Sequence, residues 1–153
     1  MPQLTSKYLD RLEYAPDSVF EFPSGIPAFE DQTAFVLVEL PETKPLIFMQ
    51  SLKNPDLCFL TVPVSVADPE YRLELSAEDV EALGFPAGSY LKIGTDLSCL
   101  VLVAVSPGAD PTVNLAAPIT LSLQTRKGVQ VIPSGCDYSL RQPLVARREM
   151  ALC

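Results

Sequence analysis

The chain has 153 residues, of which 48% are hydrophobic and 20% are charged, a composition that excludes a disordered chain and predicts one folded domain. Nineteen acidic residues against eleven basic ones give a net charge of −8, and such a negative field repels phosphates, so we expect no direct nucleic-acid binding. The chain contains no histidine, which excludes Ser-His-Asp and Cys-His catalytic systems and most zinc sites.

Two features of the sequence predict a cytoplasmic protein that does not insert into a membrane. The first residues, "MPQLTSKYLDRLEY", lack the apolar core of a signal peptide. The longest unbroken apolar run, Cys99–Val105, is far shorter than the roughly 20 residues that span a bilayer. We expect neither a disulfide nor structural zinc, because no CxxC spacing occurs among the four cysteines, Cys58, Cys99, Cys136 and Cys153.

The first half of the chain shows short apolar or β-branched runs separated by proline, asparagine and aspartate, as is typical of strands joined by turns. These predicted strands are "SVFEF" from Ser18, "AFVLVEL" from Ala34, "LIFMQ" from Leu46 and "LCFLTVPV" from Leu57. Asn54-Pro55 and Asp68-Pro69 are predicted turns.

The stretch "FPSGIPAFED" (Phe22–Asp31) combines apolar side chains with turn residues. Pro23 at the second position and Gly25 at the fourth predict a type I turn, and Pro27 favours extended geometry at the preceding isoleucine. We expect both of its phenylalanines to be buried, and Glu30 and Asp31 to be exposed.

A strand and a helix follow in "YRLELSAEDVEALG". The alternation of Tyr71–Leu75 predicts a strand with one wet face. Ser76–Gly84 is the one convincing helix, with Ser76 as N-cap and Asp79 completing a capping box. Val80 and Leu83 form its predicted contact face.

The later strands predict a sheet that is buried to different degrees. The run Cys99–Val105 has no polar alternation, which predicts burial on both faces. In Ile119–Thr125, the alternation places Ile119, Leu121 and Leu123 inward and the polar residues between them outward. Gly128–Ile132 is the last predicted strand. The fold class is therefore mainly β, in a single β domain of residues 1–132.

Residues 133–153 form a predicted C-terminal extension, because they show no sustained β alternation and carry three of the eleven bases. From Pro143 onward, two alternatives remain open: a small terminal helix with proline at its first position, or a mobile tail.

No motif indicates an enzyme. The sequence has no G-x-S-x-G, P-loop or G-x-G-x-x-G motif, so we predict no catalytic residues, no metal and no cofactor. An acid-only hydrolase is a third alternative.

Acidic residues are concentrated in two stretches. Residues 68–81 contain six acids and one base, and residues 10–42 contain eight acids and one base. Acids at a helix start or on a solvated strand have ordinary structural roles. Their concentration also predicts a surface for a basic or amphipathic partner.

Four segments in this order resemble the FliW family of flagellar assembly factors, and together they span about Val19–Ile132. They are "FPSGIPAFED", "FMQSLKNPDLCFLTV", "DPEYRLELSAEDVEALG" and "VNLAAPITLSLQTRKGVQVI". Ala28 departs from the family, which more often has glycine at that position, and the stretch after Pro133 is longer than the usual family end.

The resemblance implies a non-enzymatic cytoplasmic protein with an antiparallel, barrel-like β fold. Such a protein binds flagellin and antagonises the translational regulator CsrA, so that flagellin synthesis is coupled to export. We expect it to be a monomer when free. The candidate partner-binding residues are Asp68, Glu70, Glu74, Glu30 and Asp31. The alternative function is that of a chaperone or export adaptor for a secreted protein, without a role in translation.

Overall fold

The computed structural model describes residues 3–6, 10–132 and 138–144. Within these ranges the strands are β1 (Gln3–Ser6), β2 (Asp10–Glu13), β3 (Val19–Glu21), β4 (Ala34–Glu39), β5 (Ile47–Ser51), β6 (Cys58–Pro63), β7 (Leu97–Ala104), β8 (Thr112–Val113), β9 (Ile119–Ser122), β10 (Gly128–Gln130) and β11 (Gln142–Pro143). The helices are α1 (Val64–Ala67) and α2 (Ala77–Ala82), and Pro16–Ser18 and Pro41–Thr43 form short 3-10 turns. None of these helices has the length and apolar character needed to cross a bilayer.

The main sheet is antiparallel throughout and runs in the order β10-β9-β7-β6-β5-β4-β3. Its two edge strands meet where the Glu21 N–H donates to the Arg126 carbonyl at 2.8 Å, beside a single parallel bridge from Glu21 to Lys127. The ladder is not continuous across this seam. The expected mainly antiparallel, barrel-like fold is confirmed.

Two apolar clusters lie on opposite faces of this sheet. The first contains Phe20, Phe22, Ile26, Phe35, Ile47, Met49, Leu100, Ile119 and Leu121. The second contains Val62, Val64, Ala67, Cys99, Val101, Val113 and Leu115. Successive strand residues point to opposite faces, which is why Leu100 joins the first cluster while its neighbours Cys99 and Val101 join the second.

The predicted helix is confirmed as α2. The Ser76 hydroxyl accepts from the Asp79 N–H, and the Asp79 carboxylate accepts from the Ser76 N–H, both at 3.1 Å. This reciprocal capping box satisfies two backbone donors that the helix leaves free. Val80 and Leu83 are buried as expected, so a helix too short to be stable alone is held by packing.

The predicted strand Tyr71–Leu75 does not form. Its alternation is real, because Tyr71, Leu73 and Leu75 are half-buried while Arg72 and Glu74 are exposed. However, the segment joins no ladder. Tyr71 and Leu73 pack against the second cluster, and the Arg72 N–H donates to the Tyr138 hydroxyl at 2.9 Å instead of to a neighbouring strand.

The prediction for Ile119–Thr125 is half wrong. All four residues of β9 are buried, including the polar Thr120 and Ser122, and Leu123 is 47% exposed. Strand β9 lies between β7 and β10, and both of its faces are covered, so its polar residues are buried together with its apolar ones. The chain leaves the sheet at Leu123, where the Ser122 N–H donates to the Lys127 carbonyl at 2.8 Å to close a hairpin.

Strand β7 is buried on both faces only over its first half. Cys99, Leu100 and Val101 are buried, Val103 is half-buried, and Val105 is 65% exposed. The prediction of two covered faces therefore fails at the end of the run. Ile132, the last residue of the final predicted strand, is also 65% exposed and lies beyond the end of β10.

The stretch Phe22–Asp31 contains two successive turns. The Gly25 N–H donates to the Phe22 carbonyl at 2.8 Å, and the Phe29 N–H donates to the Ile26 carbonyl at 2.6 Å. Phe22 is fully buried as expected, but Phe29 is 38% exposed. The burial predicted for Phe29 is wrong. The second turn places its ring at the edge of the first cluster, where it packs edge-on against Phe59 with the ring centroids 5.4 Å apart.

Part of the C-terminal prediction lies outside the described residues. Pro143 belongs to β11, which pairs with β8, so Pro143 does not begin a helix. The remainder of the predicted helix or tail, residues 145–153, is outside the described ranges, as are Cys136 and Cys153.

Candidate functional site

The described cysteines and acids offer little for chemistry. Among the described residues, no group of three or more cysteines and acids could hold a metal ion. Cys58 and Cys99 are free thiols. Burial raises the pKa of Cys58 to about 11 and that of Cys99 to about 12, so both thiols are neutral, and weak nucleophiles, at pH 7.

Three of the predicted partner-binding acids lie on one segment, residues 68–74, which we call the acidic segment. Asp68 ends α1, and its Oδ1 atom accepts from the Glu70 N–H at 3.0 Å. The Tyr71 N–H donates to the Asp68 carbonyl at 3.2 Å. This turn holds the backbone, and both Glu70 and Glu74 are exposed to solvent.

The acidic segment is fixed to the core by the residues between its acids. The Tyr71 hydroxyl donates to the Leu115 carbonyl at 2.7 Å, and Leu73 packs against the second cluster. Because neighbouring side chains in an extended segment point in opposite directions, the partial burial of Tyr71 and Leu73 turns Glu70 and Glu74 outward. The segment therefore presents carboxylates from a held backbone.

Glu30 and Asp31 lie elsewhere, on the turn that precedes β4. Both are exposed, and the Asp31 carboxylate lies 3.7 Å from the Lys53 ammonium in an exposed ion pair that offsets part of its charge. This turn contacts Phe59, at the edge of the first cluster. The five predicted acids therefore fall into two groups that pack against different faces of the sheet.

The helix acids divide between structural and exposed roles. Asp79 is engaged in the capping box of α2, as the structural interpretation of an acid at a helix start expects. Glu78 and Glu81 are exposed and extend the run of surface carboxylates beyond the acidic segment.

The sequence interpretation missed an apolar groove on the same sheet face as the second cluster. It consists of two adjoining cavities of about 700 and 470 Å³ that share Leu60, Val103 and Val105 as their floor. We call this feature the apolar groove. One wall contains Pro45 and Leu46, and the opposite wall contains Leu140 and Leu144.

Residues 138–144, which we call the strap, supply one wall of the apolar groove. β11 pairs with β8, the Leu115 N–H donates to the Ser139 carbonyl at 2.9 Å, and the Leu144 N–H donates to the Pro111 carbonyl at 3.0 Å. At the start of the strap, Tyr138 stacks on Tyr71. The strap therefore borders the groove and also contacts the acidic segment.

No signal in the sequence separates the groove floor from a buried strand. Val103 and Val105 continue the apolar run of β7, and Leu60 belongs to an equally apolar strand. Both patterns predict burial. Only the tertiary structure shows where the cover over the strands ends.

Comparison with known proteins agrees with the architecture. The family model described as "FliW protein" matches residues 3–144. The chain is 30% identical over 142 residues to the flagellar assembly factor FliW of Syntrophomonas wolfei, covering 93% of this chain and 88% of the relative. It is 32% identical over 146 residues to that of Thermotoga neapolitana, covering 95% of both.

A solved structure has the same fold. The crystal structure of a flagellar assembly factor FliW superposes with a TM-score of 0.80 at 29% identity, covering 94% of this chain and 96% of the other. Sequence and fold agree over nearly the whole length of both chains. The chain belongs to the FliW family of flagellar assembly factors.

Proposed function

We propose that this protein acts in the cytoplasm, as a monomer when free, by binding flagellin and antagonising CsrA, so that flagellin synthesis follows export. The family membership and the held acidic segment support this proposal together. The role is one of binding and not of catalysis. The observation that supports CsrA antagonism is that Glu70 and Glu74 are exposed to solvent, while Tyr71 and Leu73 between them are held against the core.

The physical basis of antagonism is repulsion between like charges. A regulator that binds RNA attracts phosphates with basic side chains. Carboxylates placed within about one Debye length of that site, roughly 8 Å at physiological ionic strength, lower its positive potential. The acidic segment can therefore weaken RNA binding even when the RNA site itself stays uncovered.

Partner exchange would couple this antagonism to export. While flagellin accumulates, it occupies the protein and CsrA remains free to act on its message. When secretion depletes flagellin, the freed protein captures CsrA and translation resumes. The exchange requires only that the two partners do not bind at full affinity together, which is negative cooperativity, a positive coupling free energy between their sites.

The direct test is charge reversal on the acidic segment. Glu70→Lys with Glu74→Lys should weaken CsrA binding at least about tenfold by calorimetry, or about 1.4 kcal/mol, and the loss should shrink at high salt. Asp56→Lys with Asp110→Lys is the matched control, because both residues are exposed, both lie outside the two acid-rich stretches, and the change in net charge is the same. Circular dichroism should show the same fold for both double variants.

Equal affinities for the two double variants would show that only net charge matters and would remove the acidic segment from the interface. If CsrA does not bind the unaltered chain at all, the antagonism itself fails.

The alternative, an export adaptor without a role in translation, draws support from the apolar groove, which suits capture of an amphipathic secreted segment. Purified flagellin and purified CsrA separate the two functions. Binding of both, with competition between them, supports the proposal. Binding of flagellin alone supports the adaptor.

A further inference from the structure

We propose that the apolar groove binds an amphipathic helical segment of a partner protein whose apolar side chains are flanked by carboxylates. This inference assigns a second binding surface, distinct from the acidic segment, and it stands whether or not CsrA binds.

The floor of the apolar groove continues the second cluster into a region where the side chains on the same sheet face become exposed to solvent. Along the second cluster, Val62 and Val101 have no solvent exposure, and α1, Tyr71 and Tyr138 contribute side chains to the packing there. Two residues away on the same face of each strand, Leu60 and Val103 are only half-buried. Val105, two residues beyond Val103, is 65% exposed. A partner that extends the cover would bury this apolar surface, and burial of such surface drives association.

The backbone of the floor favours a helical occupant. Strand β6 pairs with β5 and β7, and β8 pairs with β7 and β11. These ladders already use hydrogen-bonding groups that an added strand would need. An amphipathic helix satisfies its own backbone and inserts side chains at i, i+3, i+4 and i+7. Cavities of about 470 and 700 Å³ lie in the size range that buries such groups.

The charged side chains that line the apolar groove indicate which residues should flank the apolar side chains of the occupant. The only charged side chains that line the described cavities are Lys44 and Arg141, both exposed and both basic, in a chain of net charge −8. Glu42 and Asp110 are close in sequence but line neither cavity. Among the described residues, neither Lys44 nor Arg141 forms an ion pair. Carboxylates beside the apolar anchors of an occupant would pair with these cations.

The test uses two fluorescein-labelled helical peptides about four turns long. Both carry leucines at i, i+3, i+4 and i+7, and they differ only in having glutamates or lysines at the flanks. The glutamate peptide should bind the 153-residue chain at least about tenfold more tightly than the lysine peptide, by fluorescence anisotropy at low salt.

Substitutions in the apolar groove then locate the binding site. Val105→Glu and Leu140→Glu should each reduce glutamate-peptide affinity at least about tenfold. Ile132→Glu is the matched control with less than about twofold effect, because Ile132 is equally exposed at 65% but lines neither groove cavity. Lys44→Glu with Arg141→Glu should invert the preference between the two peptides, whereas Lys92→Glu, outside the groove, should not.

Several results would overturn the proposal. Equal binding of both peptides, or equal losses from Val105→Glu and Ile132→Glu, would remove the apolar groove as the binding surface. Trypsin cleavage after Arg147 or Arg148 that appears only in Val105→Glu would place the chain's own C-terminal segment there. A dimer that Val105→Glu dissociates would assign the groove to a second copy. Thermal unfolding of every variant excludes global unfolding as the cause.

Discussion

Tyr71 and Tyr138 stack with their ring centroids 4.3 Å apart and their planes 27° from parallel. This contact joins the acidic segment to the strap. The Tyr138 hydroxyl also accepts from the Arg72 N–H at 2.9 Å, and the Tyr71 hydroxyl donates to the Leu115 carbonyl. The acidic segment and the strap, which borders the apolar groove, are therefore held together by this contact.

Removal of the stack should loosen the strap. We expect Tyr138→Ala to lower the free energy of unfolding by about 1–2 kcal/mol, because it removes a half-buried ring and its stacking. Hydrogen exchange at the Leu115 and Arg72 amides should accelerate, since both bond to the strap. Tyr90→Ala is the control, because Tyr90 is 82% exposed. Unchanged exchange at both amides would show that the ladder alone holds the strap.

The two tyrosine hydroxyls should differ in their effect on stability. Tyr71→Phe should cost about 1 kcal/mol, because the Leu115 carbonyl, on a buried residue, loses its donor. Tyr138→Phe should cost less, because its donor lies on the exposed Arg72, where water can replace the hydroxyl. Denaturant unfolding compares them, and equal costs would contradict this account.

Ala28→Gly should stabilise the protein. Ala28 has φ +74° at the third position of the Ile26–Phe29 turn, a position that type II turns reserve for glycine. Relief of the left-handed strain, about 1–2 kcal/mol, outweighs the entropy that glycine adds to the unfolded chain, about 0.4–1 kcal/mol. The expected gain is up to about 1.5 kcal/mol in denaturant unfolding, and a loss of stability would contradict the strain.

Phe22 and Phe29, the two phenylalanines of the stretch Phe22–Asp31, should differ in how much they contribute to stability. Phe22 is fully buried and packs edge-on against Phe35 at 5.4 Å, so Phe22→Ala should cost about 3–5 kcal/mol. Phe29→Ala should cost only about 1–1.5 kcal/mol, since Phe29 is 38% exposed and its main loss is one aromatic contact. Chemical denaturation measures both. If Phe29→Ala keeps stability but loses flagellin binding, the turn is a contact surface.

The two described thiols should resist alkylation near neutral pH. Burial raises the pKa of Cys58 to about 11 and that of Cys99 to about 12, from 9.0, so iodoacetamide at pH 8 should label Cys58 about a hundredfold more slowly than an ordinary thiol. Cys99 should be slower still. Peptide mass spectrometry follows each site. Rapid labelling of Cys99 at pH 8 in the folded chain would contradict its burial.

The same shifts set a pH dependence of stability. The folded thiols hold their protons more tightly than the unfolded ones, so their contribution is complete below pH 9 and is lost as the pH rises toward 11 and 12. Between pH 9 and 12, the free energy of unfolding should therefore fall less for Cys99→Ala than for the unaltered chain. Parallel curves for the two chains would show that Cys99 does not contribute.

Local features of the sequence determined much of the fold. The capping box of Ser76 and Asp79 forms because both partners lie within one helical turn. The turn bond from Gly25 to Phe22 and the Asx turns of Asn54 and Asp68 are equally local. The resemblance of the family segments predicted a mainly antiparallel fold, and the run of acids predicted exposed carboxylates at Glu70 and Glu74.

Tertiary structure decided the features that depend on distant residues. The alternation of Tyr71–Leu75 predicts a strand, yet its partners are the Tyr138 hydroxyl and the Leu115 carbonyl, 66 and 44 residues away along the chain from Arg72 and Tyr71. The apolar run of β7 predicts burial throughout, yet its cover ends before Val105. An apolar strand looks the same in sequence whether a neighbour covers it or leaves a groove, because hydrophobicity specifies what a residue can bury and not which distant segment buries it.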